Sequence, residues 1–191
     1  MLVLYGGSML AGFPTTREVP QSCRTPHTVV SDKPLVSIPS AMQEQGVAVE
    51  CCAAPGITSE QLQDWFEQVP QWHDRPSIFW MVRNDYPIKC RDTVNIFKSM
   101  IERVTGEWWV CGIPPQPSDA NRDCMFERCN AEMRAFAGER FLDPILAVSG
   151  QRLLPERQRI DCIHPTSEAN RLIARWLIAN TIGATAQAQA A

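Results

Sequence analysis

No stretch of the chain approaches the roughly 18 consecutive apolar residues that a membrane-spanning helix requires, so no integral membrane segment is expected. Basic residues are not in excess either. Lysine and arginine number 18 against 21 aspartates and glutamates, a formal balance of −3 that supplies no field for nucleic acid or anionic lipid, and no nucleic-acid partner is expected. Met1-Leu2-Val3-Leu4-Tyr5 runs straight into Gly6-Gly7-Ser8, without the basic start or the length of apolar core that a secretory leader needs. The expectation is a cytoplasmic protein, or a secreted one whose leader has been removed. Only three histidines occur, and Cys124 and Cys129 have no matching C-x-x-C pair, so a zinc site is not expected. The eight cysteines could suggest a disulfide framework, but such frameworks staple chains too small for a core. Buried free thiols are expected instead.

What is present is the composition of a folded domain: 45% hydrophobic and 20% charged residues in 191 positions. One domain is expected over residues 1–183. The tail 184–191 holds only Ala, Thr and Gln and is expected to fray. Short apolar runs alternate with helical periodicities. Leu2–Tyr5, Val47–Cys52, Ser77–Val82 and Glu107–Cys111 read as strands, with a further short strand around Asp143–Val148. Helices are expected from an N-cap at Ser59 to about Gln68, over 92–104, over Ala120–Ala137 and over Ser167–Ile182, with a short one near Ala41–Gln45. Residues 12–40, rich in Pro, Ser and Thr, read as an irregular insertion that walls one side of a pocket. The alternation implies an α/β domain with a mostly parallel sheet.

In open parallel sheets, ligands bind beyond the carboxyl ends of the strands. Ser8 follows the first strand, Gly56 the second and Asn84 the third, and Asp161-Cys162-Ile163-His164-Pro165 precedes the last helix. A serine hydroxyl becomes a nucleophile when an imidazole takes its proton, and the imidazole needs a carboxylate to fix its tautomer. His164 and Asp161, three residues apart, can supply both. The Ser8 and Gly56 backbone N–H groups and the Asn84 amide suit an oxyanion.

With these residues in this order the chain resembles the SGNH hydrolases, the GDSL esterase/lipase superfamily. Gly6-Gly7-Ser8-Met9-Leu10 resembles the Gly-Asp-Ser-Leu block, Ala54-Pro55-Gly56-Ile57-Thr58 the glycine block and Arg83-Asn84-Asp85 the asparagine block. Ile113-Pro114-Pro115 falls where the family often has a proline-rich loop. The Asp161–His164–Pro165 stretch and the helix after it are the most specific piece. Gly7 stands in place of the usual aspartate, Val82 in place of a usual glycine and Ala169 in place of a common glycine. The resemblance implies a three-layer α/β/α flavodoxin-like sandwich that needs no cofactor or metal. It implies a serine ester hydrolase acting on a small-molecule acyl ester, with Ser8, Asp161 and His164 catalytic and Ser8, Gly56 and Asn84 as the oxyanion hole. Esterase, lipase-like, thioesterase and carbohydrate O-deacetylase activities all fall within it. An acyltransferase with the same triad, or a binding module of the same fold, are the alternatives.

Each piece also has a plainer reading. Gly-Gly-Ser alone is a turn, Asp-x-x-His-Pro alone a capped helix start, Asn84-Asp85 a turn, and Gly56 a turn residue or an oxyanion donor about equally. A cysteine nucleophile among Cys51, Cys52 and Cys162 is less well placed than Ser8. Leu10 stands where the G-x-S-x-G elbow of α/β-hydrolases needs its second glycine, which excludes that fold. Arg83 is either a contact for an anionic substrate group or a solvated side chain. Trp65, Trp80, Trp108 or Trp109, and Trp176 fit core periodicity, while Trp72 lies nearest a loop; His27 and His73 read as surface or loop residues.

Overall fold

The structure is a computed structural model and describes residues 1–12, 32–85, 90–115, 119–161 and 163–183. Most of the expected 12–40 insertion, the 184–191 tail, His27 and Cys162 lie outside them. Five strands form one parallel sheet: β1 Leu2–Gly6, β2 Val49–Ala53, β3 Ser77–Trp80, β4 Trp108–Cys111 and β5 Phe141–Leu142, in the spatial order β2-β1-β3-β4-β5. The expected α/β class is therefore correct, and the layers on each side make it a three-layer sandwich. β1 and β3 are buried along their whole length, which is why their sequences read as unbroken apolar runs instead of alternating ones.

Seven α-helices cover the sheet among the described residues: α1 Ser8–Ala11, α2 Ile38–Gln43, α3 Ser59–Glu67, α4 Cys90–Glu102, α5 Ala120–Ala137, α6 Pro144–Ser149 and α7 Ser167–Asn180. One face packs Leu62 and Phe66 of α3, Val94, Phe97 and Ile101 of α4 and Phe126 and Met133 of α5 against Tyr5 and Phe79. The other packs Ile38 and Met42 of α2, Ile145 of α6 and Ile173 and Leu177 of α7 against Leu4, Ile78 and Trp80. Leu62 and Phe66 are both fully buried, each contributing roughly 1.5–3 kcal/mol over an exposed side chain. The chain leaves β1 on the α2 side and leaves β2 on the α3 side, so β1 and β3 flank the point where the winding reverses.

Several expected boundaries shift by a few residues, and some readings change. Residues 144–149 form a helix, not a strand: Asp143 caps it by accepting from the Leu146 N–H, and Pro144 sits at the first helical position, where its fixed φ suits a helix. The true strand, Phe141–Leu142, lies just upstream and is only two residues long. The α3 N-cap is Thr58, one residue before Ser59, with a reciprocal capping box to Gln61. Trp65 is 40% exposed instead of core, whereas Trp72 packs partly buried against the core. His73 is a loop residue, as expected, in the turn after Trp72, but half-buried: it stacks on Phe66 at 3.9 Å, and its Nε2 lies 3.1 Å from the Phe66 carbonyl.

Among the cysteines, Cys52 and Cys111 are buried free thiols as expected, but Cys51 and Cys124 are exposed and Cys129 is disulfide-bonded. Burial pushes the Cys52 thiol up to about 11 and raises the Cys111 thiol well above its usual range. Cys51 is exposed by surface area, yet protein atoms crowding its sulfur, aided by Cys52, push it up to about 12. None of these three is poised as a thiolate at neutral pH. No helix among the described residues is long and apolar enough to cross a membrane.

Candidate active site

The strand register sets the level at which the loops meet. Gly6 pairs with Ala53 and Tyr5 with Phe79, so the residues following β1, β2 and β3 emerge side by side at one sheet edge. Gly6 itself is dictated by space: a Cβ there would lie 2.9 Å from Leu10 Cδ1 and 3.0 Å from the Trp80 carbonyl oxygen. The chain then turns through Gly7 into the short helix α1, which begins at Ser8. As the first helical residue, Ser8 has a backbone N–H with no partner inside the helix.

His164 comes from a loop that folds on itself before α7. Thr166 N donates to the Gln158 carbonyl, Ile160 N donates to the His164 carbonyl, and Arg159 and Pro165 form an isolated antiparallel bridge. Asp161 Oδ1 accepts from the backbone N–H of Ile163 at 2.8 Å and of His164 at 2.7 Å. Its other oxygen, Oδ2, lies 2.6 Å from His164 Nδ1. A carboxylate only accepts, so the proton sits on Nδ1 and leaves Nε2 as an acceptor. Ser8 Oγ is 2.8 Å from that Nε2 and donates to it. Ser8 and His164, 156 residues apart in the chain, thus meet with Asp161 in one serine–imidazole–carboxylate series. His164 is 8% and Asp161 5% exposed, while Ser8 is half-buried at the surface. Burial pushes the Asp161 carboxyl up, but the hydrogen bond and charge of His164 and the two backbone donors outweigh it and hold the pKa below its ordinary value.

Gly56 has φ +79°, the left-handed region that favours glycine, and a Cβ there would meet nothing within 4 Å. It faces open space beside the site. Asn84 is exposed, and its Nδ2 donates one hydrogen to the Ile57 carbonyl at 2.9 Å, which ties the loop after β3 to the loop after β2 and leaves a second hydrogen free. The sequence-based set Ser8, Gly56, Asn84, Asp161 and His164 therefore lies on neighbouring loops. Only Ser8, His164 and Asp161 form a continuous hydrogen-bonded series. Arg83 stacks over the Phe126 ring at 5.4 Å, bracing the loop against α5.

Residues that sequence reading passed over hold this edge together. Asp85 is 4% exposed and accepts from Ser59 N at 2.8 Å and from Thr93 Oγ1 at 2.7 Å, joining the loop after β3 to α3 and α4. The adjacent pair Asn84-Asp85 was the available signal, but a turn explains that pair equally well. Asn170 Nδ2 donates to the Val36 carbonyl and Ser167 Oγ accepts from Val36 N, so α7 holds residue 36 by both backbone groups. Leu35–Ser37 accordingly line a small cavity together with His164, Pro165 and Met9.

No protein-family model matches the chain, and no curated protein matches it by sequence. Solved structures do match its fold. It is 15% identical to a member of the lipolytic protein G-D-S-L family from Veillonella parvula, over 93% of this chain and 95% of that one, with a TM-score of 0.66. A GDSL-like lipase from Bacteroides thetaiotaomicron is 17% identical, over 96% and 88% of the two chains, with a TM-score of 0.68. The psychrotrophic esterase EstA from Pseudoalteromonas is 12% identical, over 97% and 98%, with a TM-score of 0.66. The fold is that of the GDSL, or SGNH, hydrolases, as the sequence blocks had implied.

Proposed function

We propose that the chain is an SGNH-type serine ester hydrolase, with residues 1–183 as its one domain and a small-molecule acyl ester as its substrate. The observation that carries this reading is the series Ser8 Oγ to His164 Nε2 at 2.8 Å and His164 Nδ1 to Asp161 Oδ2 at 2.6 Å, at the sheet edge where the winding reverses. Its support is geometric: nucleophile, base and orienting carboxylate are already within hydrogen-bond reach.

In this mechanism Ser8 Oγ attacks the ester carbonyl carbon while its proton passes to His164 Nε2. The carbonyl oxygen becomes an oxyanion, for which the Ser8 and Gly56 N–H groups and the free Asn84 amide hydrogen are the candidate donors. Collapse breaks the bond to the alcohol oxygen, and His164 returns the proton to the departing alcohol. Water then gives a proton to His164 and attacks the acyl-enzyme. His164 returns that proton to Ser8 Oγ as the bond from Oγ to the acyl carbon breaks, which releases the acid and restores Ser8. Asp161 keeps Nδ1 protonated throughout and stabilises the imidazolium without taking the proton.

Ser8→Ala and His164→Ala should each lower kcat for 4-nitrophenyl acetate by roughly 10⁴-fold or more while leaving the circular dichroism spectrum intact. Either variant turning over at the parent rate contradicts the assignment.

A further inference from the structure

The Gly7 backbone has φ −107° and ψ −148°, outside the left-handed region that favours glycine. A Cβ at residue 7 would lie 3.3 Å from Val82 Cγ1, 3.7 Å from Ile57 Cγ2 and 3.8 Å from Val82 Cβ. Val82 is 2% and Ile57 4% exposed, so the atoms in the way are packed. Val82 is also branched at Cβ and has little freedom to turn aside. A side chain on residue 7 would press on Val82, from the loop after β3, which would have to give by a few tenths of an ångström.

We infer that Val82 is a positioning residue for Ser8, bounding the space beside residue 7 and so setting the Gly7–Ser8 peptide; this rests on Ser8 being the nucleophile. The Gly7 carbonyl accepts from Leu10 N at 3.0 Å and Ala11 N at 3.1 Å, so one side of that peptide is fixed by α1. Val82 and Ile57 supply the opposing wall. The same peptide carries the Ser8 N–H, and Ser8 Oγ follows one residue on, so both groups move if residue 7 is displaced. Gly7 and Val82 are thus one unit: the missing side chain at 7 makes room for the one present at 82.

The unit is tested by a double-mutant cycle of Gly7→Ala, Val82→Ala and both together, reading kcat and KM for 4-nitrophenyl acetate. Gly7→Ala should lower kcat about tenfold with KM within about twofold, because a few tenths of an ångström at the nucleophile act on the reacting geometry more than on binding. Val82→Ala alone should cost about threefold by leaving Ser8 less constrained, and the double variant should return to within about threefold of the parent, a non-additive outcome that marks coupled neighbours. Should Gly7→Ala fail to fold, a folded and active double variant still supports the inference. A double variant that stays unfolded, or whose loss is the product of the two single losses, overturns it. So does a Gly7→Ala enzyme with the parent kcat. Mass mapping of a fluorophosphonate on the parent separates the two failures: without a Ser8 adduct the nucleophile reading falls as well, whereas an adduct with independent losses removes the positioning role alone.

Discussion

Asp161 holds three groups with one carboxylate: the imidazole of His164 and the backbone N–H groups of Ile163 and His164 on its two oxygens. The structural reading of Asp-x-x-His-Pro and the chemical one are therefore both true. Asp161 shapes the loop with one oxygen and orients the imidazole with the other, while Thr166 separately caps α7. Its pKa is lowered in the folded chain, so it contributes stability above the unfolded value of about 3.9 and loses that contribution as pH falls through the folded value. Asp161→Asn should lower kcat by roughly 10³–10⁴-fold, since an amide can leave His164 in the wrong tautomer. Its unfolding midpoint in urea should lie below the parent's at pH 7, and the gap should begin to narrow below about pH 4 and close as pH falls through the lowered pKa of the folded carboxyl. A gap that widens in acid contradicts the sign.

At the scale of elements, the site depends on loops tied to helices. Asp85 is the clearest tie, because its buried carboxylate satisfies the α3 N-terminal Ser59 N–H and the Thr93 hydroxyl of α4 together. Asp85→Ala leaves both donors without an acceptor and should cost about 2–4 kcal/mol in urea unfolding, with Asp85→Asn costing less because an amide oxygen still accepts. Equal losses for the two variants would place the cost elsewhere. The elements most legible in the sequence were those with strong period or caps. α5 was read to its observed bounds, and β1 and β3 announced themselves as apolar runs between breakers. The run Asp143–Val148 was misread because four apolar residues fit a strand or one helical turn, and the deciding features were local: a capping Asp143 and a Pro at the first helical position. The placement of Trp65 failed differently, since periodicity marks a face without saying where that face meets solvent.

For the whole molecule, the order β2-β1-β3-β4-β5 makes the site possible. Reversal of winding at β1 and β3 leaves their carboxyl ends uncovered by crossing connections, and Ser8 and Asn84 occupy those ends. Residues 8, 56, 84, 161 and 164 could be named from the sequence because each stands at an element boundary in a fixed order. The pairing of Gly7 with Val82 could not be, since only the register of β1 and β3 brings residues 75 apart in the chain so close that a Cβ on one would touch the other. Nor could Asp85, whose partners lie on two different helices. The central claim is that Ser8 is an activated nucleophile, and the most direct test is a fluorophosphonate on the parent and on Ser8→Ala, followed by intact mass and peptide mapping. A single adduct on Ser8 of the parent and none on the variant is the predicted result. A folded parent that takes no adduct, or takes it at another residue, contradicts the account.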